Sequence, residues 1–140
     1  MKIEDVRTFI LSCEYLDADS PVNVNYLGAD VISYSITESA SYNPLISKDI
    51  IGNEKCQFLF NLDAKLNWNE KTQTNIDSSN FFNNFSSWIK SKNESKEFPS
   101  VSDGIEVNSI RTISNGYIYA TDSEEAVYRI SCEILYTRNK

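Results

Sequence analysis

Apolar residues recur at helical spacing in two segments of the chain. The first stripe consists of Ile3, Val6, Ile10, Cys13 and Leu16. Residues three and four positions apart lie on one side of an α-helix, so this stripe predicts an amphipathic helix from Ile3 to Tyr15. The polar segment 17–21, which contains two aspartates and a proline, ends the predicted helix.

The second helical stripe is strongly aromatic. It consists of Phe81, Phe82, Phe85, Trp88 and Ile89. The order Thr74-x-x-Asp77 resembles a capping box, so the second helix is predicted from Thr74 to Lys92. Such a stripe is either a face that packs on a sheet or a docking face for a partner, and its helical spacing favours packing on the sheet.

Alternating apolar and polar residues predict strands in the rest of the chain. The first alternating set consists of Val22, Val24, Tyr26, Ile32, Tyr34 and Ile36. A turn that contains Gly28 and Asp30 divides this set, so the pattern predicts a β-hairpin with one face toward the core.

Two long strands and two shorter ones complete the predicted sheet. Alternation runs over 55–67 and again over 126–137. A strand over 105–113 leads to Asn115-Gly116, a strong two-residue hairpin signal, and then to a strand at 117–119.

The order of these elements and the length of the chain predict one domain. Residues 1–140 are expected to form a single α+β domain with two helices packed on one face of a mainly antiparallel β-sheet. No apolar run reaches the roughly 20 residues that a membrane span needs, and the N-terminus does not resemble a signal peptide.

Charge and residue types argue against nucleic-acid wrapping and against catalysis. The chain carries 20 acidic and 13 basic residues, a net charge of -7, whereas binding of phosphates requires clustered Lys and Arg. The sequence contains no histidine, the commonest general base, and the three dispersed cysteines are predicted to be buried and reduced. We therefore expect a binding or structural protein without metal or cofactor, not an enzyme.

The segment 39–53 is predicted to be an irregular connection. It mixes turn-forming residues with Leu45, Ile46, Ile50 and Ile51, which either fold back onto the core or dock on a neighbouring subunit. Tryptophan is favoured at interface centres, so Trp68, which follows the long strand, and its neighbour Asn69 are added to the candidate interface. The candidate interface consists of Asn43, Pro44, Leu45, Ile46, Lys48, Asp49, Trp68 and Asn69.

Several segments resemble a family of phage proteins. The opening run Asn23-Val24-Asn25-Tyr26-Leu27-Gly28-x-Asp30-x-x-Ser33-Tyr34-Ser35-Ile36-x-Glu38 is similar to small tail proteins, the tail terminator or minor capsid proteins, of phages of Gram-positive bacteria. Further similar pieces are Asn43-Pro44, the strand start at Gln57, the aromatic helix, Gly116-Tyr117-Ile118 and the closing strand from Ala126. Together these pieces extend over nearly the whole chain.

This resemblance implies a structural virion protein. Tail terminators form a ring, usually of six subunits, which ends growth of the tail tube and presents a surface for joining the head. The implied partners are other copies of the chain, the tail tube protein, neck or connector proteins and, in a contractile tail, the sheath protein. DNA would pass through the ring. The implied location is the head–tail junction of the virion, after assembly in the bacterial cytoplasm.

Two other classes of function remain open. A head–tail connector or stopper protein of the neck would share the ring and the virion location, and an image of the neck separates it from a terminator. A small domain that binds a ligand or a host protein would be a stable monomer with an apolar pocket.

Overall fold

The computed structural model describes residues 1–17, 19–25, 27, 32–67, 72–121 and 125–139. These residues contain two helices, α1 (Ile3–Ile10) and α2 (Thr72–Ser95), neither of which is long and apolar enough to cross a membrane. The strands are β1 (Val22–Val24), β2 (Ser33–Glu38), β3 (Leu45–Lys48), β4 (Glu54–Asn67), β5 (Ile105–Thr112), β6 (Tyr117–Thr121) and β7 (Glu125–Arg138). The predicted turn at Gly28 and Asp30 lies outside the described residues, as do Trp68 and Asn69.

The strands form one sheet around the long pair β4 and β7, in the order β1-β2-β4-β7-β5. The central pair is antiparallel from Glu54 opposite Arg138 to Asn67 opposite Glu125. Because β7 occupies one edge of β4, both β2 and β3 pair with the other edge, one after the other. In the same way, β5 and β6 follow each other along the outer edge of β7.

The core lies between one face of this sheet and the two helices. The buried residues of the central pair on this face are Cys56, Phe58, Phe60, Leu62, Ala64, Leu66, Ala126, Tyr128, Ile130, Cys132, Ile134 and Tyr136. Phe85 and Trp88 of α2 are buried in the same cluster. The ring of Phe9 in α1 lies 5.0 Å from that of Trp88, so both helices cover one face. The predicted α+β fold is confirmed.

β1 and β2 pair in parallel, so the β-hairpin predicted for this part of the chain is wrong. The Tyr34 N–H donates to the Pro21 carbonyl (3.1 Å), and the Asn25 N–H donates to the Ile36 carbonyl (3.0 Å). Asn25 adopts a left-handed conformation with φ 59°, which turns the chain away at the end of β1. Alternation indicates which side chains face the core, but it does not indicate the direction of the neighbouring strand.

β5 and β6 do not form the hairpin predicted at Asn115-Gly116. Both run antiparallel to β7, so they point in the same direction. The break between them stays attached to β7, because the Ile113 N–H donates to the Ser131 carbonyl (2.8 Å) and the Ser131 N–H donates to Ser114 Oγ (2.9 Å). β5 and β6 therefore act as one interrupted edge strand along β7.

The first helix is shorter than predicted. α1 ends at Ile10 rather than at Tyr15, because the N–H groups of Ser12 and Cys13 donate to carbonyls three residues back (3.1 and 2.9 Å). Such bonds tighten the chain into a turn that cannot continue as an α-helix. Cys13 nevertheless remains buried.

The second helix is longer than predicted. It begins at Thr72, so the expected N-cap residue Thr74 lies within the helix, and it continues past Lys92. Lys96 adopts φ 57°, and the Glu97 N–H donates to the Lys92 carbonyl (3.0 Å). A left-handed residue with this bond is a common end of a helix.

Side chains from the helices cap the outer edges of β1 and β5. Arg7 Nε donates to the Val22 carbonyl (2.7 Å), and the Ile110 N–H donates to Asn93 Oδ1 (3.0 Å). Edge strands otherwise offer backbone groups to which another chain can add. The two helices thus obstruct strand addition at these two edges.

Candidate subunit interface

The segment 39–53 contains a strand and a tight turn instead of the predicted irregular connection. β3 pairs antiparallel with the start of β4, from Leu45 opposite Cys56 to Lys48 opposite Glu54. The register shifts between Leu45 and Ser47. A strand of four residues with an interrupted register gives almost no periodic signal, which explains why the sequence did not predict it. The segment is a β-hairpin at one end of the sheet.

Asp49 shapes the turn of this hairpin. Its Oδ1 accepts hydrogen bonds from the N–H groups of Ile51 (3.0 Å) and Asn53 (2.9 Å). The Asp49 N–H donates to the Asn53 carbonyl (2.9 Å), and its carbonyl accepts the Gly52 N–H (3.2 Å). Gly52 supplies the positive φ, 97°, that closes the turn. Asp49 therefore determines how the adjacent isoleucines are presented.

Four aliphatic side chains of the hairpin are exposed to solvent. The exposed fractions are 104% for Ile50, 66% for Ile51, 48% for Ile46 and 39% for Leu45. The alternative in which this segment folds back onto its own core is therefore wrong. Clustered exposed aliphatic residues are typical of binding surfaces. We call these four residues the hairpin surface.

Charged groups border the hairpin surface. An open depression of about 470 Å³ is lined by Ile50 and Ile51 on the turn and by Arg138 and Glu54 at the strand ends. Arg138 Nη1 lies 3.5 Å from Glu54 Oε1. Lys48 also lines this depression. An apolar centre with a polar rim is the usual composition of a protein interface.

Asn43 and Pro44 anchor the N-terminal end of β3. Asn43 Oδ1 accepts a hydrogen bond from the Leu45 N–H (3.1 Å), and the Asn43 carbonyl accepts one from Gln57 Nε2 (2.8 Å). The Gln57 N–H donates to the Pro44 carbonyl (2.8 Å). These bonds hold Leu45 in place at the start of the hairpin surface.

The last two candidate residues, Trp68 and Asn69, lie outside the described residues. Asn67, the residue before them, ends β4, whereas the hairpin lies at Glu54. β4 has 14 residues, so its ends are about 40 Å apart at roughly 3.3 Å per residue. The described candidate residues thus form one surface, at the Glu54 end of this strand.

A second exposed apolar surface, which the sequence did not single out, lies on and before β6. Ile113, Tyr117, Ile118 and Tyr119 have exposed fractions of 45%, 45%, 47% and 56%. Every residue of β6 is exposed, and no strand of the described residues pairs with its outer edge. Side chains alternate along a strand, so the successive residues Tyr117, Ile118 and Tyr119 cannot all face one core. This run was the sequence signal for an exposed apolar residue here. We call these four residues the β6 surface.

Arg129 stacks against the ring of Tyr119. Its guanidinium carbon lies 3.8 Å from the centre of the Tyr119 ring. The same guanidinium donates to both carboxylate oxygens of Asp63, with Nε–Oδ1 2.7 Å and Nη2–Oδ2 3.0 Å. The bond to Asp63 raises the pKa of Arg129 above its already high value, so the cation persists at all accessible pH. This pair holds the Tyr119 ring on the sheet face opposite the helices.

A recess of about 300 Å³ separates α2 from the chain at the start of β6. Its lining includes Phe82, Gly116 and Ile118, together with polar residues such as Asn83 and Asn115. A Cβ at Gly116 would lie 2.4 Å from Phe82 Cγ, so only glycine allows this close approach. We call this cavity the α2–β6 recess.

The hairpin surface and the β6 surface lie at diagonally opposite corners of the sheet. β3 pairs with residues 54–56 of β4, which face residues 136–138 of β7. β6 pairs instead with residues 126–129, at the other end of β7 and on its outer edge. A subunit with unlike apolar surfaces on opposite sides can bind a copy of itself head to tail.

The three cysteines are buried and form no disulfide, in agreement with the sequence prediction. Burial raises the pKa of the Cys13 and Cys132 thiols, so both stay protonated at neutral pH. Across the described part of the chain, no three Cys, Asp or Glu side chains come together as a metal-ligating group.

No protein-family model fits this chain, and no curated protein is significantly similar to it in sequence. The two apolar surfaces are the structural observations that bear on its function.

Proposed function

We propose that the protein is a tail terminator of a phage, or of a phage-tail-like particle, which forms a ring at the end of the tail tube. The hairpin surface carries this proposal, because β3 and the hydrogen-bonded turn after it present four aliphatic side chains to solvent. A subunit that acted alone would gain nothing from such a surface and would risk aggregation. The resemblance of the sequence segments to tail terminators supports the same role.

The diagonal arrangement of the two apolar surfaces favours a ring over a twofold dimer. In a dimer the same patch meets itself, whereas unlike patches on opposite sides join copies head to tail. Repetition of that contact gives a closed ring when each subunit is rotated from the previous one by 360° divided by a whole number. Six copies is the number that the resemblance implies.

The two faces of such a ring would differ, and this difference ends tube growth. One face of the ring binds the exposed end of the tail tube. The other face differs from a tube end, so no further tube subunit binds there, and it receives neck proteins instead. In a contractile tail the rim also meets the sheath. The net charge of -7 per subunit suits a lumen through which DNA passes without binding. No catalytic step and no cofactor are required.

The test of this role uses tail tubes assembled from the tube protein of the same virion. We expect the parent protein to stop elongation and to add a ring at one tube end. The variant Ile50→Ser/Ile51→Ser should remain folded, because both side chains are exposed, but it should lose capping. Leu11→Ser is the control, since it removes an aliphatic side chain of 49% exposure from the end of α1 and should still cap tubes.

Immunogold labelling of whole virions tests the location. Label at the junction of tube and neck, with tubes of uncontrolled length when the protein is missing, supports the terminator role. Label confined to the head side of the neck, with normal tube length, assigns the chain to the neck connectors. A monomer that neither enters the virion nor stops elongation contradicts the proposal.

A further inference from the structure

We propose that the α2–β6 recess, together with the adjoining exposed edge of β6, is the docking site for the hairpin surface of a second copy of this chain. This inference rests on the proposed ring and names the contact that joins its neighbouring subunits. Four observations carry it: the shapes of the two surfaces, the lining of the recess, the local charge and the exposed area.

Shape makes the hairpin the part that inserts. Ile50 is 104% exposed and therefore stands clear of its own chain. The recess, at about 300 Å³, exceeds the roughly 150 Å³ that accommodates a benzene-sized group. Two convex turns cannot fill each other, so the recess of another copy is the better partner for Ile50.

The lining of the recess suits a turn that carries an isoleucine. Phe82 and Ile118 offer apolar contacts to the side chain of Ile50. Asn83 and Asn115 offer amide groups to the peptide groups beside it. A deep, purely apolar pocket would leave those peptide groups without hydrogen-bonding partners.

Charge also favours this pairing. Residues 45–53 contain one lysine and one aspartate, and residues 113–121 contain no charged residue. The whole chain carries a net charge of -7, so contact between most other parts of two copies brings like charges together. The two apolar surfaces can therefore meet without this repulsion.

The exposed area indicates a contact that is weak in isolation. The eight side chains of the two surfaces expose at most on the order of 900 Å² in total, which is already below the roughly 1,200 Å² of a stable pair. In a closed ring each subunit makes the contact twice, which strengthens the assembly as a whole. We therefore expect monomers in dilute solution and linked subunits at high concentration or on a tube.

Cysteine cross-linking tests the contact directly, because the three native thiols are buried. Two differently tagged chains, one with Ile50→Cys and one with Ile118→Cys, are mixed and oxidised, both free at high concentration and on tail tubes. We expect mixed dimers at several-fold higher yield than in the control, which pairs Ile50→Cys with Leu11→Cys, because Leu11 is 49% exposed at the end of α1, away from the recess.

Each outcome decides the inference. Equal or higher yield from Ile50→Cys alone shows that hairpins meet each other and overturns it, as does a mixed yield no higher than the control. Specific mixed cross-links in free protein that does not cap tubes would support this contact and remove the terminator role. Capped tubes without the cross-link would preserve the role and refute the contact.

Discussion

Gly116 shows how one small residue determines the distance between a helix and a strand. A Cβ there would lie 2.4 Å from Cγ and 2.6 Å from Cβ of Phe82. Phe82 is buried and its ring lies 5.5 Å from that of Tyr128, so it has little freedom to move aside. Gly116 has no positive φ, unlike Gly52, so its small size is the property required here.

We expect Gly116→Ala to lower the free energy of unfolding by about 1–3 kcal/mol, because the added methyl group overlaps Phe82. Urea denaturation measures the change. The neighbouring exposed residue provides a control, since Asn115→Ala should change stability by less than about 0.5 kcal/mol. Equal midpoints for the two variants would mean that α2 and the β6 strand separate easily.

Among the described elements, β3 is the one that the sequence did not predict, whereas the others were predicted, some with different ends or different pairings. The aromatic stripe of α2 and the alternation of β4 and β7 each repeat often enough to identify the buried face. β3 has four residues and a register shift, so its alternation is lost. The pairings of β1 and of β6 depend on which neighbour a strand meets, and periodicity contains no information about that.

Only part of the candidate interface was predictable from the sequence. The aliphatic residues of 39–53 stood out because they interrupt a series of turn-forming residues. The β6 surface did not stand out, because Asn115-Gly116 indicated a hairpin whose side chains would alternate. The α2–β6 recess brings Phe82 and Gly116 together from separate elements, which only the fold reveals.

The packing of α2 on the sheet leads to a prediction at the scale of elements. Phe85 is fully buried, so we expect Phe85→Ala to lower the free energy of unfolding by about 3–5 kcal/mol. Thermal denaturation followed by circular dichroism measures this loss. Ile76→Ala on the same helix is the control and should cost under about 1 kcal/mol, because Ile76 is 45% exposed. A Phe85→Ala variant that melts like the parent would contradict the burial of this face.

For the whole molecule, net charge and the two apolar surfaces act in opposite directions on self-association. Each subunit carries a charge of -7, which repels its neighbours over distances comparable with the Debye length. The contact proposed between the hairpin surface and the β6 edge would rest on apolar area, which added salt does not weaken.

We therefore expect the average mass of the concentrated protein to rise with ionic strength, because salt screens the repulsion between acidic subunits. Analytical ultracentrifugation at a series of salt concentrations measures it. The Ile50→Ser/Ile51→Ser variant should stay monomeric throughout. Dissociation on adding salt would indicate instead that ion pairs across the interface hold the subunits together.

The capped edges of β1 and β5 limit how many neighbours a subunit can accept. Arg7 occupies the Val22 carbonyl, and Asn93 occupies the Ile110 N–H. With strand addition obstructed at these two edges, a copy that docks through its hairpin surface and its β6 edge has two sites for other copies, which is a valence of two. Bivalent units form chains or circles and do not branch, so assembly stops of itself once the first and last members meet.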